Sequence, residues 1–457
     1  MSAAASATVR ADTRHRLSPT ASAIILIVTF SVGFLFFAFD VNPLHLLAVA
    51  AGTAAALAML LYPELGLAVY VVIGDIKGDE RVAALFPVDL TLVMAGILAA
   101  GIAVNLLRKK RVAPMPPVYF LFIALLGLMA ASLVYTPVPD AGIEKLGRFL
   151  TVTGIVIVAP FFVLGTTEAM KRFLIAFGVA AFAICSYSLT GLGGSERLAT
   201  PTNNTIGLGH IACALIVLIW FAVVPRFSFP KRMLTYSLLV APALALIGSG
   251  SRGPAVALGI VVLTSLFFYR RLLIDVGLLL SLGLLALPFA NIPDSSLEYM
   301  GSLIRSHSVN GLLSFRGELL DYGWKLLQQH PLIGTGIEGF RYYSPNPGIY
   351  KWPHNIFLEL ACELGLPAGL LVCFLFGAAF REAFRQLRDK FSPELTLSQI
   401  AAALLLIGIL NAMNTGDINS DRSTWLFVSL VFVVGQLRRQ CSHKVASQLE
   451  ATHMVTA

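Results

Sequence analysis

Charged residues are scarce in this sequence, since Asp, Glu, Lys and Arg make up 13% of its 457 residues and hydrophobic residues make up 57%. A soluble protein of this length needs far more charge on its surface. The composition therefore excludes an ordinary soluble enzyme and predicts a protein that crosses a membrane several times. The alternation typical of barrel strands is also missing, so we expect an all-α fold in which helices span the membrane.

Cysteine is also rare. The five cysteines, four in apolar segments and one in the basic C-terminal tail, are Cys185, Cys213, Cys362, Cys373 and Cys441. None of the predicted outer loops contains a pair, so we expect no disulfide bond and no cysteine metal site. No small-residue cleavage site follows the apolar segment near 22–39, which is interpreted as a retained first helix and not as a signal peptide.

Long apolar segments are abundant. A helix of about 20 apolar residues crosses a bilayer, and the sequence contains about 12–14 candidates of this kind. They lie near 22–39, 43–62, 64–75, 87–107, 117–135, 148–164, 170–191, 206–224, 233–249, 253–269, 271–291, 355–379, 396–415 and 423–437. The segment 64–75 is short and interrupted by glycine, so it either spans the membrane or re-enters it.

These segments predict the organisation of the chain. In order, it has a cytoplasmic arm (1–21), transmembrane helices 1–11 (22–291), one large extracytoplasmic loop (292–354), transmembrane helices 12–14 (355–437) and a cytoplasmic tail (438–457). Loops as long as this one are usually functional or disordered. Its aromatic residues and helical patterning indicate order, with short helices inside the loop.

Basic residues are unevenly distributed. Most of the 33 Lys and Arg lie in short segments that the positive-inside rule assigns to the cytoplasm, together with both termini. This topology explains most of the net charge of +8 without a nucleic-acid partner. Basic residues in predicted outer loops are candidates for binding an anion, because the rule predicts few of them there. They include Arg197, Arg252, Arg305, Arg316, Arg341, Lys351 and Arg422.

Two of these arginines lie beside helix starts. In GSGSRGPAVALG (248–259), Arg252 either anchors a helix end by snorkelling or forms an anion site with the helix N-terminal amides. In GSERLATPTNNTIGLGH (194–210), Arg197 lies in an outer loop and Asn204 precedes a helix. The simpler interpretation of this second stretch is loop chemistry and an N-cap.

The large loop contains LLSFRGELLDYGWKLLQQHPLIGTGIEGF (312–340), in which Arg316 and Trp324 recur with apolar residues at helical spacing. This pattern predicts an amphipathic helix at the membrane interface. Such a helix is compatible with an Arg316 side chain that points into a cleft.

A histidine and two glutamates stand out in KWPHNIFLELACELGLPAGLL (351–371). At 100° per residue, Glu359 and Glu363 share one helix face, whereas His354 and Glu359 lie about 140° apart. Glu359 therefore partners His354 only if the helix is distorted at its start. His354 is either an N-capping or interfacial residue or a group that takes a proton. Carboxylates inside a span are by default paired or functional.

Taken together in order, these stretches resemble the O-antigen ligase and polymerase superfamily of bacterial envelope glycosyltransferases. The likeness rests on SRG at 251–253, FRGELLDYGWKLLQQHPLIGTGIEGF at 315–340 and HNIFLELACELGLPAGLL at 354–371. It is supported by ERLATPTNN at 196–204 and by the single large outer loop. The resemblance implies a GT-C-like protein of the bacterial inner membrane with its active site on the periplasmic side.

The resemblance also implies the substrates. The donor is a glycan on undecaprenyl diphosphate, and the acceptor is a sugar hydroxyl on lipid A core or on another carrier-linked glycan. His354 matches the essential histidine of the family, and Arg252, Arg316 and, less closely, Arg197 match the arginines assigned to the donor diphosphate. Candidate supporting residues are Asn204, Trp324, Asn355 and Glu359.

The chemistry of the residues agrees with this reaction. Guanidinium groups neutralise the charge that develops on a departing diphosphate. No Asp-x-Asp motif occurs in the predicted outer loops, so we expect neither a metal nor a cofactor. The nearest acidic pairs, Asp417 with Asp421 and Glu318 with Asp321, are interpreted as loop or helix-face partners. His354 either accepts the proton of the attacking hydroxyl, with inversion at the anomeric carbon, or orients the acceptor.

Three other functions are considered. A secondary transporter of an anionic solute would suit broken helices with small residues near arginine, but its site must be reachable from both faces. A non-catalytic envelope scaffold would not need three arginines and a histidine at one water boundary. Within the favoured family, an O-antigen or exopolysaccharide polymerase shares the donor of the O-antigen ligase and differs in its acceptor. The single large loop favours the ligase.

Overall fold

The computed structural model describes most of the chain after residue 42. The described residues are 43–78, 89–223, 228–268, 276–277, 279, 281, 290–298, 309–345, 351–389, 394–414 and 417–456. The predicted arm (1–21), the predicted first span (22–39) and most of the predicted span 271–291 lie outside them. The chain divides into two units, Met1–Ala58 and Met59–Ala457, and the second contains the elements that form the candidate site.

All regular structure in the described residues is helical. The helices up to residue 223 are α1 (Pro43–Leu61), α2 (Pro63–Val72), α3 (Leu90–Leu107), α4 (Phe120–Ser132), α5 (Pro139–Arg148), α6 (Gly154–Val163), α7 (Thr167–Ser188) and α8 (Thr205–Val223). The later helices are α9 (Phe229–Tyr236), α10 (Val240–Gly248), α11 (Arg252–Phe268), α12 (Val309–Gln329), α13 (Gly339–Tyr343), α14 (Ile356–Leu364), α15 (Leu366–Arg388), α16 (Leu395–Ala412) and α17 (Arg422–Thr456). A 3-10 turn extends α2 through Asp75, and a π-helical turn joins α5 to α6.

Seven helical segments among the described residues are long and apolar enough to cross a membrane. They are Leu90–Leu107, Pro139–Val163, Thr167–Gly191, Thr205–Ala222, Pro230–Gly248, Leu366–Arg388 and Leu395–Ala412. Ala50–Leu61 counted together with Pro63–Asp75 would make an eighth. The predicted class, an all-α polytopic membrane protein, is therefore confirmed. The total of about 12–14 spans stays a prediction.

Some predicted boundaries differ from the structure. The predicted span 355–379 is two helices, α14 and α15, because Gly365 adopts a φ of +84° between them. The predicted segment 64–75 corresponds to α2 and its 3-10 extension, which together are shorter than a full span of about 20 residues. Within the predicted tail, α17 continues as helix through Thr456. The predicted loop 292–354 contains α12, a helix of 21 residues.

Helices α8 and α16 are the most buried of the candidate spans. In their apolar stretches, 61% and 72% of the residues are buried inside the protein, against 28% in α3. Helix α8 packs against α7, α10, α11 and α16, and α16 also packs against α15 and α17. Both are apolar on all sides, as expected for a helix surrounded by other helices and lipid. The ends of these central helices border the polar region described below.

Two glycine-containing motifs, PLIGTG (331–336) and ELGLP (363–367), pack backbone against backbone and fix the position of the start of α15. The Leu366 N–H donates to Pro331 O (2.8 Å), and the Gly336 N–H donates to Glu363 O (2.8 Å). Gly334 has a φ of +69°, and a Cβ there would collide with the backbone of Glu363. Only glycine combines this conformation with so close an approach. The contact explains why PLIGTG and ELGLP occur together, since each motif is the packing partner of the other.

Candidate functional site

His354 is held at the start of α14 in an unusual backbone conformation. The next residue, Asn355, caps the helix, because its Oδ1 accepts hydrogen bonds from Phe357 N and Leu358 N, both at 3.1 Å. The Asn355 side chain also donates from Nδ2 to Met413 O at the end of α16 (3.2 Å). His354 has a φ of +56°, a left-handed conformation that costs a non-glycine residue roughly 1–3 kcal/mol. Such strain is concentrated at functional sites in proteins.

The surroundings of His354 keep its imidazole neutral. Its ring lies edge-on to Trp352, with 6.0 Å between the ring centroids. Burial and, secondly, the Arg316 guanidinium lower the pKa of His354 to about 4, while Asp417 opposes the shift. The imidazole is therefore neutral at pH 7 and available to accept a proton or a hydrogen bond.

His354 lines a cavity of about 330 Å³, which we call the histidine cavity. The cavity lies where α2 ends and where α8 and α17 begin. Its polar lining consists of Asp75, Arg148, Asn204, His210, Trp352, His354, Asn419, Ser420, Asp421, Arg422 and Ser423. Its volume is at the lower end of the range of about 300–1,000 Å³ that is usual for ligand pockets.

The three predicted arginines meet in a second, smaller cavity. Arg197, Arg252 and Arg316 line this space of about 40 Å³, which we call the arginine cavity. Arg197 Nε donates to Ser249 O (2.8 Å), and the absence of a Cβ at Gly250 leaves room for the Arg197 side chain, since a Cβ there would lie 3.0 Å from Arg197 Nε. The structure thus brings together three side chains whose nearest neighbours along the chain are more than fifty residues apart.

The arginine cavity and the histidine cavity are adjacent. Ile206, in the first turn of α8, lines both of them. The cation of Arg316 also acts on both, because it borders the arginine cavity and lowers the pKa of His354. Two helices begin at this point, α8 and α11, and their N-terminal amides add positive potential.

Helix α12 carries Arg316 into this position. Leu319 and Leu326 form its buried face, which packs with Phe340 and Cys362. Helix α12 is therefore amphipathic, as its sequence predicts, and one of its polar residues, Arg316, still points into a cleft. Trp324 lies on the opposite, outer side of α12, is 54% exposed and lines neither cavity.

Glu359 and Glu363 lie together on one face of α14, as the helix geometry predicts, and both contact Lys145 on α5. Lys145 Nζ is 2.7 Å from Glu359 Oε1, 2.8 Å from Glu363 Oε2 and 3.4 Å from Glu338 Oε1. Lys145 and the two glutamates on α14 are at most 5% exposed. The carboxylate of Glu359 is thus directed at Lys145, and this set of four residues is called the lysine cluster.

Several residues of the histidine cavity were not recognised as site residues in the sequence. They are Asp75, Arg148, His210 and Asp421. Asp421 was interpreted as a loop partner, and Arg422 was noted only as a basic residue outside. The predicted supporting residue Asn204 lines the cavity and also caps α8, because its Oδ1 accepts from Gly207 N (2.8 Å). The sequence signal that could have identified these residues is a charged side chain directly beside an apolar segment, as at Asp75.

The two cavities combine a cationic site with a neutral base. Three guanidinium groups are suited to a diphosphate, since each presents several donors in a fixed plane. The neutral imidazole is suited to taking a proton from a hydroxyl group. Within the residues that the structure describes, no group of three His, Cys, Asp or Glu side chains is arranged to hold a metal ion.

Comparison with known families agrees with these features. No curated protein matches the chain. Residues 237–373 match the family described as O-antigen ligase. The matched segment includes Arg252, Arg316 and His354, whereas Arg197 precedes it. The resemblance found in the sequence motifs is confirmed over this segment, because residues 237–373 match an O-antigen ligase domain.

Proposed function

We propose that this protein is an inverting, metal-independent glycosyltransferase that transfers a glycan from undecaprenyl diphosphate to a sugar hydroxyl. The observation that carries the proposal is the adjacency of the arginine cavity and the histidine cavity, with Ile206 shared between them. A cationic site for the leaving group and a neutral base for the attacking hydroxyl are the two parts that such a transfer needs.

The arginine cavity would hold the diphosphate of the donor. Arg197, Arg252 and Arg316 provide positive charge in a partly enclosed place, where electrostatic interactions are stronger than in water. As the bond between the anomeric carbon and the phosphate oxygen breaks, negative charge grows on the diphosphate. The guanidinium groups then stabilise the transition state more than the bound donor, which accelerates the reaction.

His354 would act on the acceptor. The acceptor oxygen attacks the anomeric carbon from the side opposite the diphosphate, its proton passes to the neutral imidazole, and polyprenyl diphosphate leaves with the electron pair. One bond forms and one breaks on opposite faces of the carbon, so the configuration inverts. The lowered pKa makes His354 a weak base, which is sufficient because the hydroxyl becomes acidic as it attacks.

The acceptor distinguishes two members of the same superfamily. We favour an O-antigen ligase, whose acceptor is lipid A core, because the predicted outer loop before His354 is large and contains the helices α12 and α13. A polymerase that elongates a carrier-linked glycan is the alternative with the same donor. The distribution of Lys and Arg supports a site on the periplasmic face of the inner membrane, with both termini in the cytoplasm.

The proposal is tested with purified protein in liposomes that contain a polyprenyl-diphosphate glycan. Transfer is measured in EDTA for the wild type, His354→Ala and Arg252→Ala, with lipid A core or carrier-linked glycan as acceptor. We expect wild-type turnover in EDTA and a loss of about 100-fold or more in each variant. A requirement for a divalent metal, or full activity of both variants, would show that the mechanism is wrong. The product identifies a ligase or a polymerase.

A further inference from the structure

The lining of the histidine cavity contains four buried polar atoms without a hydrogen-bond partner in the described part of the chain. They are Trp352 Nε1, His354 Nδ1, Asp421 Oδ2 and Arg422 Nη1. A buried polar atom left unpaired costs roughly 1–3 kcal/mol. Native proteins rarely keep several such atoms in one place, and a set of them around a cavity indicates a polar ligand that completes their hydrogen bonds.

The four residues that carry these atoms line the cavity from two separate parts of the fold. Trp352 and His354 belong to the segment that enters α14, whereas Asp421 and Arg422 lie at the start of α17. The Arg422 guanidinium also packs beside Gly74 at the end of α2. The four groups therefore converge on the same space from different elements, and their arrangement is not the by-product of one loop conformation.

The chemistry of the four atoms is that of a sugar-binding site. Trp352 Nε1 and Arg422 Nη1 are donors, and the Asp421 carboxyl accepts. Burial raises the pKa of Asp421 well above its usual range, so its carboxyl also donates when it is protonated. A sugar hydroxyl both donates and accepts, so it can satisfy each of these groups. Val72 and Ile211 supply an apolar wall for the carbon face of a ring.

We propose that Trp352, Asp421 and Arg422 form the acceptor subsite, where they bind hydroxyl groups of the acceptor sugar and orient the attacking hydroxyl toward His354. This inference rests on the proposed function and deepens it. The donor diphosphate has its own cations in the arginine cavity on the other side of Ile206. The subsite therefore determines acceptor specificity, while the arginine cavity binds a group that all donors share.

The test compares Asp421→Ala and Trp352→Phe with the wild type, using lipid A core as acceptor and a polyprenyl-diphosphate glycan as donor. The control is Asp321→Ala, because Asp321 is exposed on α12 and pairs only with the exposed Lys325 in the described residues. We expect the acceptor KM to rise about 10-fold or more in the two cavity variants, because each loses a buried hydrogen bond. The donor KM and the behaviour of Asp321→Ala are expected to match the wild type.

A second measurement tests acceptor binding directly and does not depend on turnover. Binding of a core oligosaccharide is followed calorimetrically without donor, and Asp421→Ala and Trp352→Phe are expected to weaken it by the same factor as the KM. If Asp421→Ala does not fold, as judged by its elution from a sizing column, Trp352→Phe carries the test, since it keeps the ring and removes only the N–H donor.

The outcomes separate this inference from the proposed function. Wild-type transfer with an acceptor KM that changes less than about two-fold in both variants would overturn the subsite and leave the proposed function intact. A rise in the donor KM instead would place these groups against the donor and would also overturn the inference. Absence of wild-type transfer to any acceptor would remove the proposed function and the subsite together.

Discussion

The lysine cluster and the histidine cavity include residues that are close together along the chain, but their buried polar groups are paired differently. In the lysine cluster, the ammonium group of Lys145 contacts the carboxylates of Glu338, Glu359 and Glu363, all within 3.4 Å. In the histidine cavity, buried polar atoms have no partner among the described residues. Both belong to the same region of a largely apolar protein. The lysine cluster is held by ion pairs and its side chains line neither cavity, although Glu359 Oε2 and Glu363 Oε1 have no hydrogen-bond partner among the described residues, whereas the histidine cavity has room for a ligand.

The comparison distinguishes polar groups that stabilise the fold from polar groups that are candidates for binding a ligand inside a membrane protein. The lysine cluster joins α5, α14 and the loop before α13, and so it fixes the orientation of the helix that His354 precedes. It is also linked to the cavity, because Asn419 lines the cavity and donates from Nδ2 to Lys145 O (3.2 Å). Removal of a cluster residue should therefore affect stability, and removal of a cavity residue should affect chemistry.

The largest expected effect on turnover comes from His354→Gly. Glycine adopts a φ of +56° without strain and cannot accept a proton. We expect transfer to fall about 10²- to 10⁴-fold, which is the usual contribution of a general base. The unfolding temperature in detergent should equal or exceed that of the wild type, because the strained backbone and the partly buried imidazole are both removed.

The control for this prediction is His354→Ala, which removes the imidazole and keeps the strain. It should lose the same turnover and be less stable than His354→Gly. A large loss of stability in His354→Gly would show that the histidine is structural and would remove the distinction between the two regions.

Lys145→Met is expected to have the largest effect on stability. The substitution leaves buried carboxylates without their cation, and breaking a buried ion pair in this way costs about 3–5 kcal/mol. Thermal unfolding in detergent measures the effect. Lys145→Met combined with Glu359→Gln and Glu363→Gln should recover most of the loss, because the two most buried carboxylate charges are then gone and the third, Glu338, is partly exposed.

Lys325→Met is the matched control, since Lys325 forms an exposed pair with Asp321 (2.6 Å). Exposed pairs contribute about 0–1 kcal/mol, so its stability should stay close to that of the wild type. A Lys145→Met protein that is as stable as the wild type but inactive would place Lys145 in the chemistry and would contradict the comparison.

The smallest expected effect is a shift in the pH profile of kcat/KM. The pKa of His354 is lowered to about 4, so the free enzyme should keep its basic imidazole down to that pH, whereas an ordinary histidine is protonated below about 6.5. Arg316→Gln should move the acid limb upward, because the cation that disfavours imidazolium is removed. Asp417→Asn should move it downward, because Asp417 favours imidazolium.

The same pKa sets a stability dependence with a definite sign. The folded state binds fewer protons than the unfolded state between pH 4 and about 6.5, so the contribution of His354 to stability is lost as the pH falls through this range.

The control for the pH profile of kcat/KM is Lys325→Gln. It removes a positive charge from the same helix as Arg316 and should leave the acid limb of the profile unchanged. An acid limb near 6.5 in the wild type would mean that His354 is hydrated and not buried.

The candidate site was partly predictable because some of its residues lie in local motifs. SRG, the amphipathic pattern of α12 and the HN pair before α14 each identified one residue, namely Arg252, Arg316 and His354. Helical geometry also predicted that Glu359 and Glu363 share a face. Their partner could not be predicted, because Lys145 is more than two hundred residues away and its pattern is that of an ordinary helix-end lysine.

The sequence by itself determined the membrane class, the helical fold and the motifs around the arginines and the histidine. These depend on composition and on residues that are close together along the chain. Only the tertiary structure decided that Asp75, Asp421 and Arg422 meet His354 in one cavity and that Glu359 faces Lys145. The physical reason is that membrane helices such as α8 and α16 are apolar on every side, so no polar face indicates which neighbour each side contacts.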